Sequence, residues 1–319
     1  MGDHIIRRRE ALQRGATDHE LQRQCRTGTW KRLRPGTFAV SVEHNALDAI
    51  AQHRLVAEAA LRAAAPDSVL SHQSAAAVHG FEMWNVPLRV VHLTRNRKTG
   101  GRRTQHRHVH SAVMAEHEII EVDGLRVTTP ARTMLDLSRS LNFEEALATG
   151  DHAVRAGLVT TADLDAAAAA MPEHSGRRRA RRVFRFLDGR AESVGESRSR
   201  ALFIRKQLPV PEPQANLFSA TGDHLGRVDF LLEALGVVGE FDGRIKYGRL
   251  VPEGQVPADV LWAEKLREDA IRSAGWQVVR WIWDELATPH VIVGRIQDAV
   301  ERARLCPPPQ GWVDHTPRP

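Results

Sequence analysis

The chain has few of the features that mark secreted or membrane proteins. Only two of its 319 residues are cysteines, Cys25 and Cys306, and they lie near opposite ends. Such a pair indicates neither a disulfide framework nor a zinc site. No apolar run approaches the roughly 18 residues of a membrane span, and the charged first nine residues are not followed by the apolar stretch of a secretory signal. We therefore expect a cytoplasmic protein without a membrane span.

The basic residues are clustered along the chain. The 45 Lys and Arg residues exceed the 39 Asp and Glu residues by a modest net charge of +6, and Arg greatly outnumbers Lys. Arg clusters occupy residues 7–9, 95–107 and 177–185, and the last two contain no acidic residue. Planar guanidinium groups suit phosphate contacts, so the clusters favour nucleic-acid binding. A general preference for Arg on solvated surfaces is the alternative.

A chain of this length predicts two or three domains. Changes in composition divide it into residues 1–41, 42–188 and 189–305, followed by a Pro-rich tail, 306–319, that we expect to be disordered. Mixed helical and strand-like signals predict an α/β (α+β) fold class. Its expected parts are a winged helix-turn-helix, an α/β middle domain, and a C-terminal mixed sheet flanked by helices.

Residues 1–41 have the pattern of a small winged helix-turn-helix. An opening basic helix ends at Gly15, and Thr17 with Glu20 forms a capping box for a second helix. A Pro35-Gly36 turn joins two strands. In this layout the second helix faces a DNA groove and the wing contacts phosphates. The residues expected to bind DNA are Gln22, Arg23 and Arg26 on the helix and Lys31, Arg32 and Arg34 on the wing. A helical hairpin that only packs on the next domain is the alternative.

The middle segment, 42–188, contains a cationic hairpin in this interpretation. Strand-like residues 88–93 run into a basic tip around Gly100-Gly101 and return through residues 106–110, and we expect Arg102 and Arg103 of the tip to contact DNA. The alternation of His106, His108 and His110 places three imidazoles on one strand face, an arrangement that can bind metal. Because no Asp, Glu or Cys accompanies them locally, a solvated or phosphate-facing strand is favoured.

The last domain, 189–305, carries a set of acids in apolar surroundings. Glu196 follows Ser193 at a helix start, where it could act only as a cap. Asp229 interrupts an apolar strand, and the next strand ends with Glu240 and Asp242, which the two-residue period places on one face. Buried carboxylates are costly unless compensated, and Mg²⁺ is their natural compensator. The pattern predicts a metal site formed by Asp229, Glu240 and Asp242.

Four segments of this domain occur in the order that is typical of a nuclease family. They are Glu196-Ser197-Arg198, Arg227-Val228-Asp229-Phe230, Glu240-Phe241-Asp242-Gly243 and Gly275-Trp276-Gln277-Val278-Val279-Arg280. Over residues 190–290 the chain resembles the very-short-patch-repair (Vsr-like) branch of the PD-(D/E)xK superfamily. The resemblance implies a restriction-endonuclease-like fold in which Mg²⁺ activates a water for attack on a phosphodiester. It implies Asp229 and Glu240 as metal ligands, Asp242 as a further ligand and Glu196 as an outer acid of the catalytic site.

One position departs from that superfamily pattern. The pattern has Lys two residues after the strand acid, where this chain has Asp242. Lys246, just beyond the strand, could take that role in catalysis, and so could Lys265 of the next predicted helix. A surface salt-bridge ladder explains Lys265 equally well. Whether this domain hydrolyses DNA is therefore left open by the sequence.

Three segments of the front half also occur in a family order. They are Leu33-Arg34-Pro35-Gly36-Thr37-Phe38-Ala39, Ser71-His72-Gln73-Ser74-Ala75-Ala76 and Val127 to Leu137. Over about 140 residues this half resembles the AbiEi antitoxins of type IV toxin–antitoxin systems. The resemblance implies a repressor that binds double-stranded DNA at its own operon and opposes a nucleotidyltransferase toxin. The leading hypothesis is such an antitoxin with a nuclease-like C-terminal domain. A Mg²⁺-dependent DNA endonuclease and a purely protein-binding antitoxin are the alternatives.

Overall fold

Helices and β-sheets are mixed throughout the structure, a computed structural model that describes residues 5–171, 175–243 and 257–315. This mixture confirms the predicted α+β class. The chain divides into a first unit, Met1–Thr149 with Gly157–Arg185, and a second unit, Gly150–Ala156 with Phe186–Pro319. The segments 1–41 and 42–188, predicted as separate domains, therefore fall almost entirely within one unit. No helix among the described residues is long and apolar enough to cross a membrane.

The chain begins with a small helical and three-stranded region. Its elements are β1 (Ile6–Arg7), α1 (Arg8–Gln13), α2 (Asp18–Arg26), β2 (Trp30–Arg34), β3 (Thr37–Val40) and α3 (Ser41–Ala46). The strands are antiparallel in the order β1-β3-β2. The sequence predicted helix where β1 lies. The backbone is extended there because Ile6 pairs with Phe38. This pairing covers the free edge of β3, and Ile5 is buried beside it.

Local capping fixes helix α2 as predicted. Thr17 accepts a hydrogen bond from the backbone N–H of Glu20, whose carboxylate accepts one from the N–H of Thr17. The buried Leu21 packs with Ala11 and Phe38 in a small apolar cluster. This cluster joins α1 and α2 to the strand hairpin, so the orientation of α2 is set by its one fully buried side chain.

The rest of the first unit is built on a six-stranded mixed sheet in the order β6-β7-β5-β4-β9-β8. Its elements are α4 (Ala49–Leu61), β4 (Ser68–Leu70), α5 (His72–His79), β5 (Val91–Asn96), β6 (Arg102–Arg103), β7 (Arg107–Ala112), β8 (Ile119–Val122), β9 (Leu125–Thr128), α6 (Pro130–Ser140), α7 (Phe143–Arg155), α8 (Thr161–Ala170) and α9 (Ser175–Phe184). Residues 150–155 of α7 belong to the second unit. Leu70, Leu93 and Val127 of the sheet pack with alanines of α4 and α5.

The predicted hairpin of residues 88–93 and 106–110 is wrong in its pairing. Strands β5 and β7 are parallel neighbours, with His92 opposite His108 and Thr94 opposite His110. The connection, 97–106, is long enough to place β6 at the outer edge of the sheet. Strand β7 then enters between β6 and β5, and the antiparallel partner of β7 is β6. The local sequence pattern predicted the two strands, but it could not predict that β7 lies between β6 and β5.

The second unit contains a five-stranded mixed sheet in the order β13-β12-β11-β10-β14. Its elements are α10 (Val194–Arg205), β10 (Glu212–Phe218), β11 (His224–Leu232), β12 (Val237–Asp242), α11 (Pro257–Ser273), β13 (Gln277–Ile282), α12 (Pro289–Arg304) and β14 (Trp312–Asp314). Only β12 and β13 are parallel. Side chains of α10 and α12 pack on one face around Phe230 and Trp281. Ile271 of α11 packs on the other around Val228 and Val238.

The tail predicted as disordered is wrong for residues 312–314. Strand β14 pairs with β10, and the Trp312 ring stacks on Phe218 with centroids 3.9 Å apart. Gly311 has φ +108, and a Cβ there would lie 2.0 Å from the carbonyl oxygen of Phe218. Glycine is therefore required for the chain to approach β10 after the prolines. The sequence prediction missed β14 because it has only three residues and follows a Pro-rich segment.

Candidate nucleic-acid interface and carboxylate cluster

The face of α2 opposite Leu21 is basic and exposed. Gln22, Arg23 and Arg26 are all exposed, and their spacing places them on neighbouring positions of the helix surface. On the wing, Lys31 and Arg32 are exposed on β2. Five of the six residues predicted to bind DNA in this region are thus accessible. The geometry suits a helix that contacts bases while a strand hairpin contacts backbone phosphates.

Arg34, the sixth predicted residue, is half-buried and fixes the wing to α4. Its Nη1 donates a hydrogen bond to the carbonyl oxygen of Ala59 at 2.9 Å. Burial, with a smaller contribution from Arg107, lowers the pKa of Arg34. A groove of about 500 Å³ lies beside it, between the wing turn and α4. The basic residues that line this groove are Arg7, Arg9, Arg34 and Arg62.

Arg102 and Arg103 lie on the outermost strand of the six-stranded sheet. Both side chains are exposed on β6. Arg102 also lines a cavity of about 280 Å³ with Arg95, Arg97 and Arg107. Asp67 neutralises part of this charge through a 2.7 Å ion pair with Arg95. The predicted cationic tip is therefore a strand edge, where charged side chains also hinder pairing with another sheet.

Asp229 lies where strands β11 and β12 separate. Their antiparallel ladder ends at the pair Phe230 and Gly239. Beyond that pair, the backbone N–H of Phe241 donates to the Asp229 carboxylate at 2.8 Å. The Asp229 carboxylate thus takes the place of a main-chain carbonyl acceptor where the two strands separate. This is a structural role for Asp229, independent of any role in metal binding or catalysis.

Gln214 connects Asp229 to Glu196 and was not identified from the sequence. Its Nε2 donates to Glu196 at 2.9 Å and to Asp229 at 3.4 Å. The residue is buried and has φ +59, a left-handed conformation that is rare for a side chain of this size. Glu196 also accepts hydrogen bonds from Ser193 Oγ and from the backbone N–H of Glu192. A strained, buried donor between two acids is typical of functional sites, but nothing in the local sequence marks it.

The carboxylates of this cluster perturb one another. Burial, and then the nearby charge of Asp229, raises the pKa of Glu240 to about 7. The same two causes raise the pKa of Glu196. Asp229 therefore influences an acid on α10 and another on β12. A carboxyl group that titrates near neutrality beside another acid is suited to hold a proton or to attract a cation.

Two arginines supply the positive charge near these acids. Arg267 of α11 donates to Glu240 at 3.2 Å and to Glu264 at 2.8 Å. Arg280, opposite Glu240 in the β12–β13 register, contacts Asp242 at 3.4 Å and Glu264 at 2.7 Å. Pairing with these carboxylates raises the pKa of each guanidinium. The sequence prediction missed both because their contacts with the strand acids Glu240 and Asp242 join residues that are far apart in the chain.

The lysines proposed for this site do not fill it in the described structure. Lys265 is exposed, with its Nζ 5.9 Å from the centre of the Trp262 ring, while Arg267 of the same helix contacts Glu240. A helical step of two residues turns Lys265 to the opposite side of α11. Lys246 lies outside the described residues. Among the described residues, the cation that contacts Glu240 is therefore Arg267 and not Lys265.

The predicted Mg²⁺ ligands are not gathered around one point. Within residues 5–171, 175–243 and 257–315, only His72, His92 and His110 have ligand atoms that all lie within 4.8 Å of one another. Carboxylates suit Mg²⁺, but Glu240 and Asp242 are bonded to Arg267 and Arg280. A metal bound by Asp229, Glu240 and Asp242 would have to displace these two arginines. The carboxylate oxygens are of the type that Mg²⁺ prefers, but their present arrangement, paired with arginines, does not fit the ion.

Comparison with known proteins supports the resemblance of the front half. Residues 67–186 match the family model described as the AbiEi antitoxin C-terminal domain. Two of the three segments that suggested this family lie inside the match, those that begin at Ser71 and Val127. The crystal structure of the RV2827C protein from Mycobacterium tuberculosis aligns with a TM-score of 0.38 and 13% sequence identity, over 57% of this chain and 71% of that one.

Two relatives extend the similarity beyond that domain. They are the uncharacterised protein MT2308 of Mycobacterium tuberculosis (strain CDC 1551 / Oshkosh) and the uncharacterised protein Rv2248 of Mycobacterium tuberculosis (strain ATCC 25618 / H37Rv). Each is 30% identical over 237 residues, which cover 73% of this chain and 81% of the relative. The chain belongs to the same family as these two mycobacterial proteins, and within it residues 67–186 match the AbiEi antitoxin C-terminal domain.

Proposed function

We propose that this chain is a cytoplasmic, DNA-binding antitoxin that represses transcription of its own toxin–antitoxin operon. The match to an antitoxin domain suggests a role related to such systems. The observation that carries the DNA-binding part is the orientation of α2. Its buried Leu21 anchors the helix, and Gln22, Arg23 and Arg26 occupy the exposed side.

The two parts of the basic surface have different tasks in this proposal. Helix α2 enters the major groove, where Arg23 and Gln22 can form paired hydrogen bonds with guanine and adenine edges. Lys31 and Arg32 of the wing contact phosphates and give affinity that depends little on sequence. The Arg-lined groove beside Arg34 extends the phosphate-binding surface towards α4.

The AbiEi domain carries the antitoxin role in this proposal. Its partner is a nucleotidyltransferase toxin encoded beside it, as the family resemblance implies. Expression of that toxin alone should arrest growth, and co-expression of this chain should restore it. If a chain restricted to the region before residue 67 restored growth equally well, the antitoxin activity would not lie in the matched domain. A neighbouring gene without toxin activity would also contradict the proposal.

Operator binding can be tested by fluorescence anisotropy with the DNA upstream of the operon and with a shuffled sequence of equal length. The double variant Arg23→Ala/Arg26→Ala should lose preference for the upstream DNA. Lys31→Ala should weaken binding to both DNAs and reduce the salt slope of log K by about 1. Arg304→Ala, which removes an exposed arginine of α12, is the matched control. Equal binding by all four proteins would contradict the proposed interface.

An endonuclease is the second candidate function of this chain. The observation that favours it is the cluster of Glu196, Asp229 and Glu240, in which the pKa of Glu240 is raised to about 7. Nicking of supercoiled plasmid with Mg²⁺ or Mn²⁺, lost in Asp229→Asn and retained in Asp298→Asn of α12, would support this activity. If the protein bound the operator but cleaved no DNA with either metal, the endonuclease candidate would be contradicted, and the domain that contains these acids would serve as a scaffold for binding.

A further inference from the structure

Three histidines from separate elements of the first unit meet at one point. His72 begins α5, His92 lies on β5 and His110 lies on β7. One ring nitrogen from each lies within 4.8 Å of the other two. The Nδ1 of His92 is 2.9 Å from the Nε2 of His110, and the rings of His72 and His110 stack with centroids 4.0 Å apart. We propose that His72, His92 and His110 bind a transition-metal ion of the Zn²⁺ class.

The histidines are already in the protonation state that a metal requires. Burial lowers the pKa of His72 and of His110 to about 3 and that of His92 to about 2. Nearby positive groups of α6, Arg132 and Arg139, add to the lowering for His72. All three imidazoles are therefore neutral at physiological pH. Since metal ligation uses the neutral ring, binding requires no prior loss of protons from these side chains.

Two oxygen groups lie beside one nitrogen of the His72 ring. The Nδ1 of His72 is 3.0 Å from Ser71 Oγ, which also accepts a hydrogen bond from Thr94 Oγ1 at 2.8 Å. The Asp136 carboxylate lies 4.0 Å from the same nitrogen. A metal-binding histidine usually has such a partner behind the ring. In this proposal a proton on Nδ1 faces these oxygens and Nε2 is the nitrogen that binds the metal.

The backbone at His72 is consistent with a specific role. His72 is buried and has φ +51, in the left-handed region that few residues with side chains adopt. The fold holds this histidine in a strained conformation that turns it towards β5 and β7. Strain of this kind persists where the surroundings define a functional geometry. Both this strain and the pairing of β5 with β7 are needed to bring the three rings together.

The ligand set selects the class of metal. Three imidazoles without a carboxylate suit Zn²⁺, Co²⁺, Ni²⁺ or Cu²⁺ rather than Mg²⁺. With Zn–N bonds of about 2.0–2.1 Å, tetrahedral ligands are roughly 3.3 Å apart. The 2.9 Å between His92 and His110 therefore needs to widen by only a few tenths of an ångström.

A cavity beside the three rings can supply the fourth ligand. It has a volume of about 290 Å³ and is lined by His72, His110, Asp136, Arg139 and Arg179, among others. Water or a small anion there could complete a tetrahedral site, and the two arginines favour an anion. His108 is next to His110, with ring centroids 3.7 Å apart, but it is outside the group of three.

Zn²⁺ and Co²⁺ are the probes for this site, applied to the full-length protein. Zn²⁺ affinity is measured by competition with a chromogenic chelator, and Co²⁺ coordination by visible absorption. We expect one tight site with the intense absorption of four-coordinate Co²⁺. His110→Gln and His72→Asn should each lower the affinity by about 100-fold or more, beyond the effect of losing an outer partner. Asn tolerates the left-handed backbone, so His72→Asn should fold even if His110→Gln does not.

The matched control is His106→Ala. His106 belongs to the same sequence alternation but is exposed before β7 begins, and its loss should leave the tight site unchanged. Circular dichroism confirms that each variant is folded. Wild-type protein without a tight site would overturn the proposal. Zn²⁺ affinity that is equal in wild type, His72→Asn and His110→Gln would also do so, because it would locate the ion on surface histidines.

Discussion

The buried Glu240 gives a stability prediction whose sign depends on pH. Its pKa is about 7 in the folded protein against an ordinary value of 4.5. Because the pKa is raised, the stability that the protonated Glu240 contributes is fully present below pH 4.5 and is lost as the pH rises through 7. The difference between the two pKa values corresponds to about 3 kcal/mol in the free energy of unfolding. Above pH 7 the folded protein therefore contains an ionised, buried Glu240 and is less stable by this amount.

Glu240→Gln removes the titrating group and keeps its shape. The partner guanidinium of Arg267 remains paired with Glu264 and bonded to the carbonyl oxygen of Arg227, so the substitution leaves no charge without a partner. We expect the variant to be about 2–3 kcal/mol more stable than wild type at pH 8 and nearly equal at pH 4.5. Other groups titrate in both proteins, so the difference between the two pH curves isolates Glu240.

Urea unfolding between pH 4.5 and 8 measures this difference. Glu301→Gln is the matched control, since Glu301 is an exposed acid of α12 that forms an ion pair with its neighbour Arg304. The control should have the same pH dependence as wild type. If the stability curves of Glu240→Gln and wild type were parallel across this range, the buried position and the coupling to Asp229 would be contradicted. A variant that became less stable at pH 8 would show instead that the ion pair with Arg267 outweighs burial, so that the pKa of Glu240 is not raised.

Three further substitutions test separate parts of the structure. Thr17→Ala removes the cap of α2 and should reduce its stability by about 1 kcal/mol, seen as faster hydrogen exchange in α2; unchanged exchange would argue against the capping box. Gly311→Ala brings a Cβ into the Phe218 carbonyl and should release β14, measured by increased exchange of residues 312–314. Asp229→Asn removes the second of the two causes that raise the pKa of Glu240, so the stability lost between pH 4.5 and 8 in urea unfolding should be smaller than in wild type and the loss complete at a lower pH; an unchanged pH dependence would argue against the coupling of Asp229 to Glu240.

Local sequence signals predicted the elements whose stabilising contacts are also local. The Thr17 and Glu20 capping box and the wing turn at Gly36 both occur as expected. Each depends on residues within a few positions of one another, where residue type and spacing determine the geometry. The opposite case is β1, where pairing with a strand 30 residues away overrode a plausible helix start.

The sites depend on contacts between distant residues, which local patterns do not predict. Asp229 and Glu240 could be identified because charge is unusual in apolar strands, and Glu196 because it begins the family order of segments. The contacts of Arg267 with Glu240 and of Arg280 with Asp242 could not, since nothing near either arginine indicates them. The histidine cluster is a similar case. His110 was visible in an alternating strand, but the parallel pairing of β5 and β7 brings His92 near it, and the start of α5 adds His72.

The energetic cost of Glu240 bears on the choice between the two proposed functions. A domain that served only as a scaffold would gain stability from glutamine at this position, and the basic face of α2 would be unaffected. Operator affinity measured on Glu240→Gln therefore complements the unfolding curves. If the variant is more stable at pH 8 and binds the operator as tightly as wild type, DNA binding does not require the ionised acid. The carboxylates would then be either dispensable, as in a scaffold, or needed for an activity of the second unit itself, and the plasmid-nicking assay on the same variant distinguishes these two cases. Weaker operator binding by a correctly folded variant would instead make the carboxylate cluster part of repression.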